Sequence, residues 1–328
     1  MQKTDVLLGL LRERGRRGLP LQRIYRQLYN PYLYLTAYGR IYRNDGAMTP
    51  GATGETADGT SLKTFDTIIA ALKQERYHWQ PARRTYVPKK NGKKRPLGMP
   101  TWSDKLLAEV MRMILNVYFD EMFSEHSHGF REERGCHTAL QEIYHNWHGT
   151  TWIIEGDIAD CFGSLDHDLI ISALAEHIQD GRFLNLVKRL LDAGYLEDWK
   201  FNHTLSGVPQ GSILSPLLSN LLLNKLDQFV ETHLIPRYTK GKTRKYNPVY
   251  IKLRNRAAQL RKRGQTKEAQ QLKKQAQELP SQDPNDPDYR RLKYVRYADD
   301  VRHLTHNEIL LAEKEGSEES DLRVISPT

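Results

Sequence analysis

The sequence predicts an α+β protein with many helices and a few short strands. Over Asp104–Phe123, apolar residues recur at three- and four-residue spacing, which is typical of a helix with a buried face. Two short apolar stretches, Ile153–Ile158 and Tyr294–Asp300, instead indicate buried strands. Hydrophobic residues make up 39% of the 328 residues, and no apolar run approaches about 18 residues. We therefore expect a globular protein without a membrane-spanning segment.

The net charge of the chain narrows the kinds of partner that we expect. Lys and Arg total 49 against 40 Asp and Glu, a formal charge of +9. Such an excess favours a polyanionic partner, either nucleic acid or a membrane surface. Two cysteines, Cys136 and Cys161, give no disulfide framework, and the arginine-rich N-terminus lacks the pattern of a secretory signal. We expect a cytoplasmic protein that binds nucleic acid and no membrane.

The first expected domain, residues 1-61, is a basic helical extension followed by a loop. Tyrosines are interleaved with arginines through residues 1–45, whereas residues 46–61 are rich in turn-forming residues. Aromatic rings among arginines can stack on bases. They can equally form the apolar face of a small helical subdomain, and the sequence leaves both interpretations open.

Three further domains are expected along the chain. Residues 62-150 begin with a helix, followed by the extended stretch RRTYVPKK and a turn at Asn91 and Gly92. Residues 151-305 contain both predicted strands, and residues 301–306 should form a returning strand although their hydrophobicity alternates poorly. Residues 306-328 are an acidic polar tail that we expect to be disordered.

A strongly basic segment interrupts the expected domain over residues 151-305. Residues 237-279 contain 14 Lys and Arg against two Glu, a local charge of +12 that exceeds the charge of the whole chain. Apolar residues keep helical spacing on both sides of Arg263-Gly264-Gln265, which predicts a helical hairpin. A charge run is often only a solvated face, but a run of one sign at this density favours contact with a phosphate backbone.

Three aspartates follow the two predicted strands. Asp157 ends the first strand, and the pair Asp299 and Asp300 ends the second. Adjacent carboxylates repel each other, so keeping both ionised is costly unless a cation lies between them. Nucleotidyl transfer uses two divalent ions held by few carboxylates together with phosphate oxygens. Either aspartate feature alone is usually a solvated turn or a helix cap, but the two in this order, with Pro209-Gln210-Gly211 between them, are far more specific.

Six segments resemble the reverse transcriptases encoded by group II introns. The likeness covers about residues 30–300. Residues 155–167 resemble the first palm motif of that family, residues 207–220 the second and Tyr-Ala-Asp-Asp at 297–300 the third. The segments that resemble the finger motifs and the N-terminal extension are KKNGKKRPLGMPT (89–101), HSHGFREERGCHTAL (126–140) and NDGAMTPGATGETADGTS (44–61).

This resemblance implies a right-hand polymerase with fingers over 62-150 and a palm over 151-305, in which a small antiparallel sheet packs on helices. It implies two Mg²⁺ ions, with Mn²⁺ as a substitute, and dNTP substrates. The implied nucleic-acid partners are an RNA template, intron RNA, and a DNA primer or target. Asp157, Asp299 and Asp300 match the family's catalytic metal ligands, and the Ile158 carbonyl is an additional candidate ligand.

The resemblance also implies residues that bind the nucleotide and the RNA. Phe162 matches the aromatic ring that excludes a ribose 2′-OH, although it could equally be a core residue. The other implied nucleotide-binding residues are Lys89, Arg95, Gln210 and Gly211. Phe130 and Arg131 match positions that support the template and the pocket. The charge of the basic segment adds the candidate RNA contacts Arg244, Lys245, Arg261, Lys262 and Arg263.

The sequence departs from the family pattern at three places. Gly163 stands where many relatives have Asp, and the second motif contains Ser212 where Gly is frequent. Family members also continue beyond the third palm motif, so we expect a truncated or frame-disrupted product without a thumb. Two alternatives to an active polymerase of this type follow: a weak or inactive maturase-like RNA-binding protein, and a retron-type reverse transcriptase.

Overall fold

The computed structural model describes residues 3–44, 46–88, 92, 94–147, 152–158, 160–198, 200–204, 206–207, 211–305 and 322–325. For residues 152, 157, 300–305 and 322–325 it describes the backbone alone. The chain forms two compact units. The first comprises residues 1–135 and 158–226, and the second comprises residues 136–157 and 227–328. These boundaries differ from the expected domains 62-150 and 151-305, which stay predictions.

The first unit is built around a long buried helix. Its N-terminal helices are α1 (Thr4–Arg16), α2 (Pro31–Ile41), α3 (Leu62–Lys73) and α4 (Trp102–Phe119). Fifteen of the 18 residues of α4 are buried, and α1, α2 and α3 pack against it. The Thr101 hydroxyl caps α4 by accepting the Asp104 backbone N–H. Because so much apolar surface of α4 leaves water, this helix is the centre of the unit's hydrophobic core.

The N-terminal tyrosines divide between the two interpretations that the sequence left open. Tyr25 and Tyr34 are fully buried, and their hydroxyls donate to the Leu72 and Leu28 carbonyls. Tyr32 and Tyr42, in contrast, are exposed. Core packing therefore accounts for part of this aromatic pattern, and exposed rings remain beside it.

The first unit also contains a four-stranded sheet, built from both of its chain segments. Its strands are β1 (Ala82–Pro88), β2 (Lys94–Met99), β4 (Tyr195–Glu197) and β5 (Lys200–Asn202), in the order β2-β1-β4-β5. β1 and β2 form the antiparallel hairpin expected around Asn91 and Gly92. β4 runs parallel to β1, and β5 returns antiparallel to β4.

The remaining α-helices of the first unit begin within the first palm-like motif and continue after it. They are α6 (Cys161–Ser164), α7 (His167–Ala175), α8 (Gly181–Leu191) and most of α9 (Ser215–Phe229). Apolar residues of α8 at helical spacing, among them Phe183, Leu186, Val187 and Leu190, are buried in the same core as α4.

The second unit contains an antiparallel sheet in the order β6-β7-β3-β8. Its strands are β3 (Trp152–Asp157), β6 (Lys293–Tyr297), β7 (Asp300–Thr305) and β8 (Leu322–Ile325). Val295 of β6 packs with Ala139 and Trp147, which belong to or follow helix α5 (Cys136–Asn146). The expected α+β class, with a small antiparallel sheet packed on helices, is confirmed.

Two strands of this sheet were poorly anticipated by hydrophobic alternation. β7 forms over residues whose hydrophobicity alternates poorly. It is a central strand, and its hydrogen bonds to both β6 and β3 stabilise it in place of a regular apolar face. Leu322–Ile325 lie in the tail that we expected to be disordered, and that expectation does not hold for these four residues. They pair with β3 as an edge strand, since β3 has a free hydrogen-bonding edge on that side.

The basic segment forms the helical hairpin that its sequence predicts. After a π-helical turn (Val230–Leu234) and α10 (Ile235–Tyr238), the hairpin consists of α11 (Pro248–Lys262) and α12 (Thr266–Gln277). Gly264 adopts φ +80°, the left-handed conformation that ends many helices. No residue of α11 is buried, whereas Ala269 and Ala276 of α12 are. Within the part of the chain described here, no helix is long and apolar enough to cross a bilayer.

Asp104 generates a testable prediction about stability. Its buried carboxylate accepts hydrogen bonds from the Tyr77 hydroxyl, the Thr101 hydroxyl and the Gln80 backbone N–H. Burial nevertheless raises the pKa of Asp104 to about 6. The folded state therefore holds this proton more tightly than the unfolded state. Protonation of Asp104 thus contributes to the free energy of unfolding at low pH, and this contribution is lost as pH rises from about 4 to about 6.

We expect Asp104→Asn to remove this loss, which reaches at most about 1.4 kcal/mol per pH unit. Urea unfolding at several pH values between 4 and 7 measures it. The exposed Asp66→Asn serves as the control. An unchanged slope in Asp104→Asn would contradict the raised pKa.

Candidate active site

The two strands that carry the Tyr-Ala-Asp-Asp segment meet in a two-residue turn. β6 ends at Tyr297, β7 begins at Asp300, and these two residues pair across the hairpin. Ala298 adopts a left-handed conformation with φ 56°. This conformation matches the twist that two-residue hairpins require, but it costs a non-glycine residue about 1 kcal/mol. The turn therefore needs additional contacts to hold Ala298 in place.

The register of the sheet brings the predicted metal ligands to one end. Asp157, the last residue of β3, lies directly opposite Asp300, the first residue of β7. Directly opposite residues of an antiparallel pair share one face of the sheet, with Cβ atoms about 5 Å apart. Asp299 is adjacent in the turn and half-buried. Backbone pairing thus gathers three aspartates from segments that lie far apart in the sequence.

A buried ion pair holds the turn from beneath. The Arg296 guanidinium and the Asp227 carboxylate are both fully buried, and their two hydrogen bonds measure 2.8 and 2.7 Å. Nη1 of Arg296 donates to the Ala298 carbonyl at 2.7 Å, while the Tyr294 hydroxyl donates to Asp227. Tyr294 and Arg296 are two residues apart in β6 and therefore share the face opposite Val295. The network ties the strained residue of the turn to the end of α9.

The protonation states of this network follow from its geometry. Burial by itself would lower the pKa of Arg296, but the hydrogen bond and the charge of Asp227 outweigh it and raise that pKa above its usual value. Burial, followed by the nearby Asp227 charge, raises the pKa of Tyr294 well above its usual value. Arg296 therefore stays charged and Tyr294 stays a hydrogen-bond donor throughout the physiological range.

The chemistry of the three aspartates fits a divalent cation. Carboxylate oxygens are the hard ligands that Mg²⁺ takes in proteins, usually one or two together with water and phosphate oxygens. Among the side chains that the structure describes, no group of three His, Cys, Asp or Glu forms a metal site. The side chains of Asp157 and Asp300 lie outside that description, so the fit rests on donor type and strand register. Ile158, the additional candidate ligand, directly follows β3 and is half-buried.

The nucleotide-binding candidates that the structure describes belong to the first unit. Arg95 is exposed near the start of β2. Gly211 adopts φ +106°, and a Cβ there would lie 2.2 Å from the carbonyl oxygen of Gly98, which also belongs to β2. Gly211 must therefore be glycine, both for its conformation and for this close approach to β2. Lys89 and Gln210 lie outside the described residues.

Phe162 lies in the short helix α6, where it is half-buried. Its ring packs partly against the large core of the first unit. The ring also packs against Phe130, whose ring centroid lies 6.1 Å away at an interplanar angle of 71°. Gly163 follows it, and a Cβ at that position would lie 2.1 Å from a carboxylate oxygen of Asp160. The larger side chain of many relatives at this position would require Asp160 to move.

Arg131, a candidate RNA contact, is bound inside the first unit. The side chain is buried and donates to the Asp120 carboxylate and to the Asp120, Ser124 and Ser127 carbonyls at 2.6–3.0 Å. A guanidinium held by four internal acceptors is not available to a phosphate. We therefore assign Arg131 to supporting this loop, and not to direct contact with RNA.

The basic candidates of the hairpin fall into two groups. Arg244 and Lys245 are bound within the unit, because Arg244 stacks on Tyr289 and Lys245 donates to Asp288 at 2.6 Å. That hydrogen bond raises the pKa of Lys245. Arg261, Lys262 and Arg263 are exposed at the tip, and no ion pair engages them within the described part of the chain. Sequence reasoning did not separate these groups, since the distinction depends on the segment SQDPNDPDY (281–289), which folds back beside the base of the hairpin.

Asp227 and Arg296 were missed as functional residues. Arg296 lies between Val295 and Tyr297, which is a signal of a buried charge, whereas Asp227 lies between Leu226 and Gln228 and carries little such signal. Their pairing across 69 positions could not be read from that signal.

The buried pair predicts a large loss of stability when one partner is removed. We expect Arg296→Leu to lower the free energy of unfolding by about 3–5 kcal/mol, because the Asp227 charge would remain buried without its partner. The double variant Asp227→Leu with Arg296→Leu should recover part of this loss. Urea unfolding measures both, with the exposed Arg256→Leu of α11 as the control. A loss for Arg296→Leu no larger than the control's would refute the pairing.

Comparisons with known proteins agree with this geometry. The family model described as reverse transcriptase (RNA-dependent DNA polymerase) matches residues 87–311. The chain is 41% identical over 286 residues to the group II intron-encoded protein LtrA of Lactococcus lactis subsp. cremoris, which covers 85% of this chain and 48% of LtrA. It is 39% identical over 273 residues to the putative COX1/OXI3 intron 1 protein of Saccharomyces cerevisiae, covering 83% of this chain and 32% of that protein.

A shorter relative is protein YkfC of Escherichia coli, 36% identical over 238 residues that cover 70% of this chain and 61% of YkfC. The chain thus spans about half or less of the first two relatives and about three fifths of the third. The expected resemblance to proteins encoded by group II introns is confirmed. Because the family model matches well over half of its length, the chain belongs to the reverse transcriptase (RNA-dependent DNA polymerase) family.

Proposed function

We propose that this protein is an RNA-directed DNA polymerase of the group II intron type, which adds dNTPs to a primer on an RNA template. The observation that carries the proposal is the register of the second unit's sheet, which sets Asp157 opposite Asp300 with Asp299 in the adjoining turn. Carboxylates gathered from two separate segments are what a two-metal phosphoryl-transfer site requires. A DNA primer or target and intron RNA are the nucleic-acid partners that follow, and the cytoplasm is the proposed compartment.

In this proposal Asp157, Asp299 and Asp300 hold two Mg²⁺ ions, for which Mn²⁺ is a substitute. When bound, such ions activate the primer hydroxyl and neutralise the charge of the triphosphate. The contribution of the chain is to hold the backbone that carries the three aspartates in a fixed register. The Arg296 contact with the Ala298 carbonyl serves that purpose, because it holds the backbone that presents Asp299.

The nucleotide-binding roles are assigned to residues of the first unit. Arg95, exposed on β2, supplies a bidentate donor for the triphosphate, and Lys89 adds a compact charge. Gly211 lets the backbone approach β2 closely, and its neighbour Gln210 is proposed to line the same pocket. Phe162 is proposed as the ring that excludes a ribose 2′-OH by steric conflict.

RNA binding is assigned to the tip of the basic hairpin. Arg261, Lys262 and Arg263 are exposed and have no ion pair within the described residues. Arg261 and Lys262 lie in the last turn of α11, where positive charge interacts favourably with the helix dipole. This interaction accounts for two cations at the helix end but not for the charge of the whole segment. The density of unpaired positive charge favours phosphate contact in addition.

A second candidate function is that of a maturase-like RNA-binding protein with weak or no polymerase activity. The exposed charge of α11 and α12 supports it independently of the aspartates. Primer extension and RNA binding, measured on the same preparation, distinguish the two functions. RNA binding without dNTP incorporation would favour the second.

The metal-site assignment predicts the effect of removing one carboxylate. We expect Asp299→Ala to abolish dTTP incorporation on poly(rA)/oligo(dT) with Mg²⁺, because one ligand of the metal pair is lost. RNA binding should remain within about twofold, since Asp299 lies outside the basic hairpin. Asp168→Ala, at an exposed position of α7, is the control. Incorporation that survives Asp299→Ala would show that the metal assignment is wrong.

The hairpin assignment predicts a salt-dependent effect. Replacing Arg261, Lys262 and Arg263 together by Gln should weaken RNA binding and flatten its dependence on salt concentration, because fewer counterions are released. The matched control replaces Arg244, Lys245 and Lys240, the cations already bound to Tyr289, Asp288 and Pro287 at the base. Filter binding to a single-stranded RNA over a range of salt measures both. Equal slopes for the tip and base variants would contradict the assignment.

A further inference from the structure

Phe130 combines two features that core packing does not explain. The residue is 54% exposed, although it is large and aromatic. Its backbone adopts φ 58°, a left-handed conformation that is uncommon for a bulky residue and costs about 1 kcal/mol or more. An exposed ring held on a strained backbone gains little from burial. Residues in such conformations cluster at functional sites, where the surrounding structure holds them.

The surrounding structure does hold Phe130 in this conformation. On one side, Nδ2 of the buried Asn220 donates to the Gly129 carbonyl at 2.8 Å. On the other side, Arg131 is fixed by its hydrogen bonds to Asp120, Ser124 and Ser127. Both neighbours of Phe130 are thus tied to buried parts of the first unit. The backbone at Phe130 has little freedom to relax, and the direction of its ring is set.

The ring of Phe130 meets the ring of Phe162. The centroids lie 6.1 Å apart at 71°, an edge-to-face arrangement that aromatic pairs favour. Phe162 packs against the core on part of its surface only, so this contact restricts the remaining movement of its ring. Resting on the proposed polymerase function, we propose that Phe130 is a specificity-determining residue: its anchored ring fixes Phe162 in the position that excludes ribonucleotides.

The physical reason is that a ring excludes a 2′-OH by steric conflict only if neighbouring residues keep it in position. A ring that can turn aside admits a 2′-OH at a small energetic cost, whereas a ring fixed by a rigid neighbour does not. Phe130 acts through Phe162 and is a positioning residue in this respect. Its loss should therefore change the choice between nucleotides far more than the rate of deoxynucleotide incorporation.

The test is primer extension by the full chain on poly(rA)/oligo(dT), with kcat/KM measured separately for dTTP and UTP. We expect Phe130→Leu to raise the UTP-to-dTTP ratio about three- to tenfold, the range that corresponds to one aromatic pair. Phe162→Val should raise the ratio at least as much, whereas Phe130→Tyr, which keeps an aromatic ring, should leave it unchanged. Phe229→Leu, an exposed aromatic residue of the second unit, is the matched control.

Phe130→Gly separates the ring from the backbone, because glycine adopts the left-handed conformation without strain. We expect this variant to lose discrimination as Phe130→Leu does. Retention of the original ratio in Phe130→Gly would show that the loop conformation alone matters and would overturn the inference. So would an unchanged ratio in Phe130→Leu when Phe162→Val raises it.

A measurement that is independent of catalysis completes the test. If the rings are coupled, the shifts in thermal unfolding midpoint caused by Phe130→Leu and Phe162→Val should not add in the double variant. Additive shifts would overturn the proposed contact. If the unaltered chain incorporates no dTTP at all, the polymerase proposal itself fails and this inference fails with it. That outcome is distinct from normal incorporation with unaltered selectivity.

Discussion

The second unit depends on a buried ion pair between the end of α9 and β6, the first strand of a hairpin. Asp227 and Arg296 lose all contact with water, and their attraction offsets that loss because two hydrogen bonds align their charges. A third nitrogen of the guanidinium, Nη1, donates to the Ala298 carbonyl. A charge that had to be buried is thereby used to hold a left-handed residue in the turn of the aspartates. Without it, β6 would present an unpaired guanidinium to the interior and the turn would be free to relax.

The first unit relies on close contacts between backbone segments. Gly211 approaches the carbonyl of Gly98, and Gly207, with φ +86°, lies against the backbone of Phe162 and Gly163. His167 bridges the same region, since its Nε2 donates to the Gly207 carbonyl at 2.7 Å. Two glycines of the segment that matches the second palm motif are therefore packed closely, Gly211 against β2 and Gly207 against α6. A side chain at Gly207 or Gly211 would separate these segments.

The positive charge of the protein is also distributed by structure. Cations at the base of the hairpin are neutralised by Asp288 and stacked on Tyr289, which ties the basic segment to the strand that follows. Cations at the tip remain in water. One sequence feature, a run of Lys and Arg, thus divides into two groups: the cations at the base stabilise the hairpin, and those at the tip are exposed to solvent.

The sequence by itself determined the family, the α+β class, the basic hairpin and the order of the three aspartates, because these depend on local spacing and on motifs that are read along the chain. It could not determine the register that sets Asp157 opposite Asp300, since pairing between distant strands is decided by the whole sheet. It predicted a returning strand after Asp300 but not the place of that strand in the sheet, where β7 pairs with β6 on one edge and with β3 on the other. Only the tertiary structure decided that Arg131 supports a loop, that Asp227 and Arg296 are partners, and that Phe130 meets Phe162. Each of these depends on which side chains the fold brings together and removes from water, and that information is spread over the whole chain.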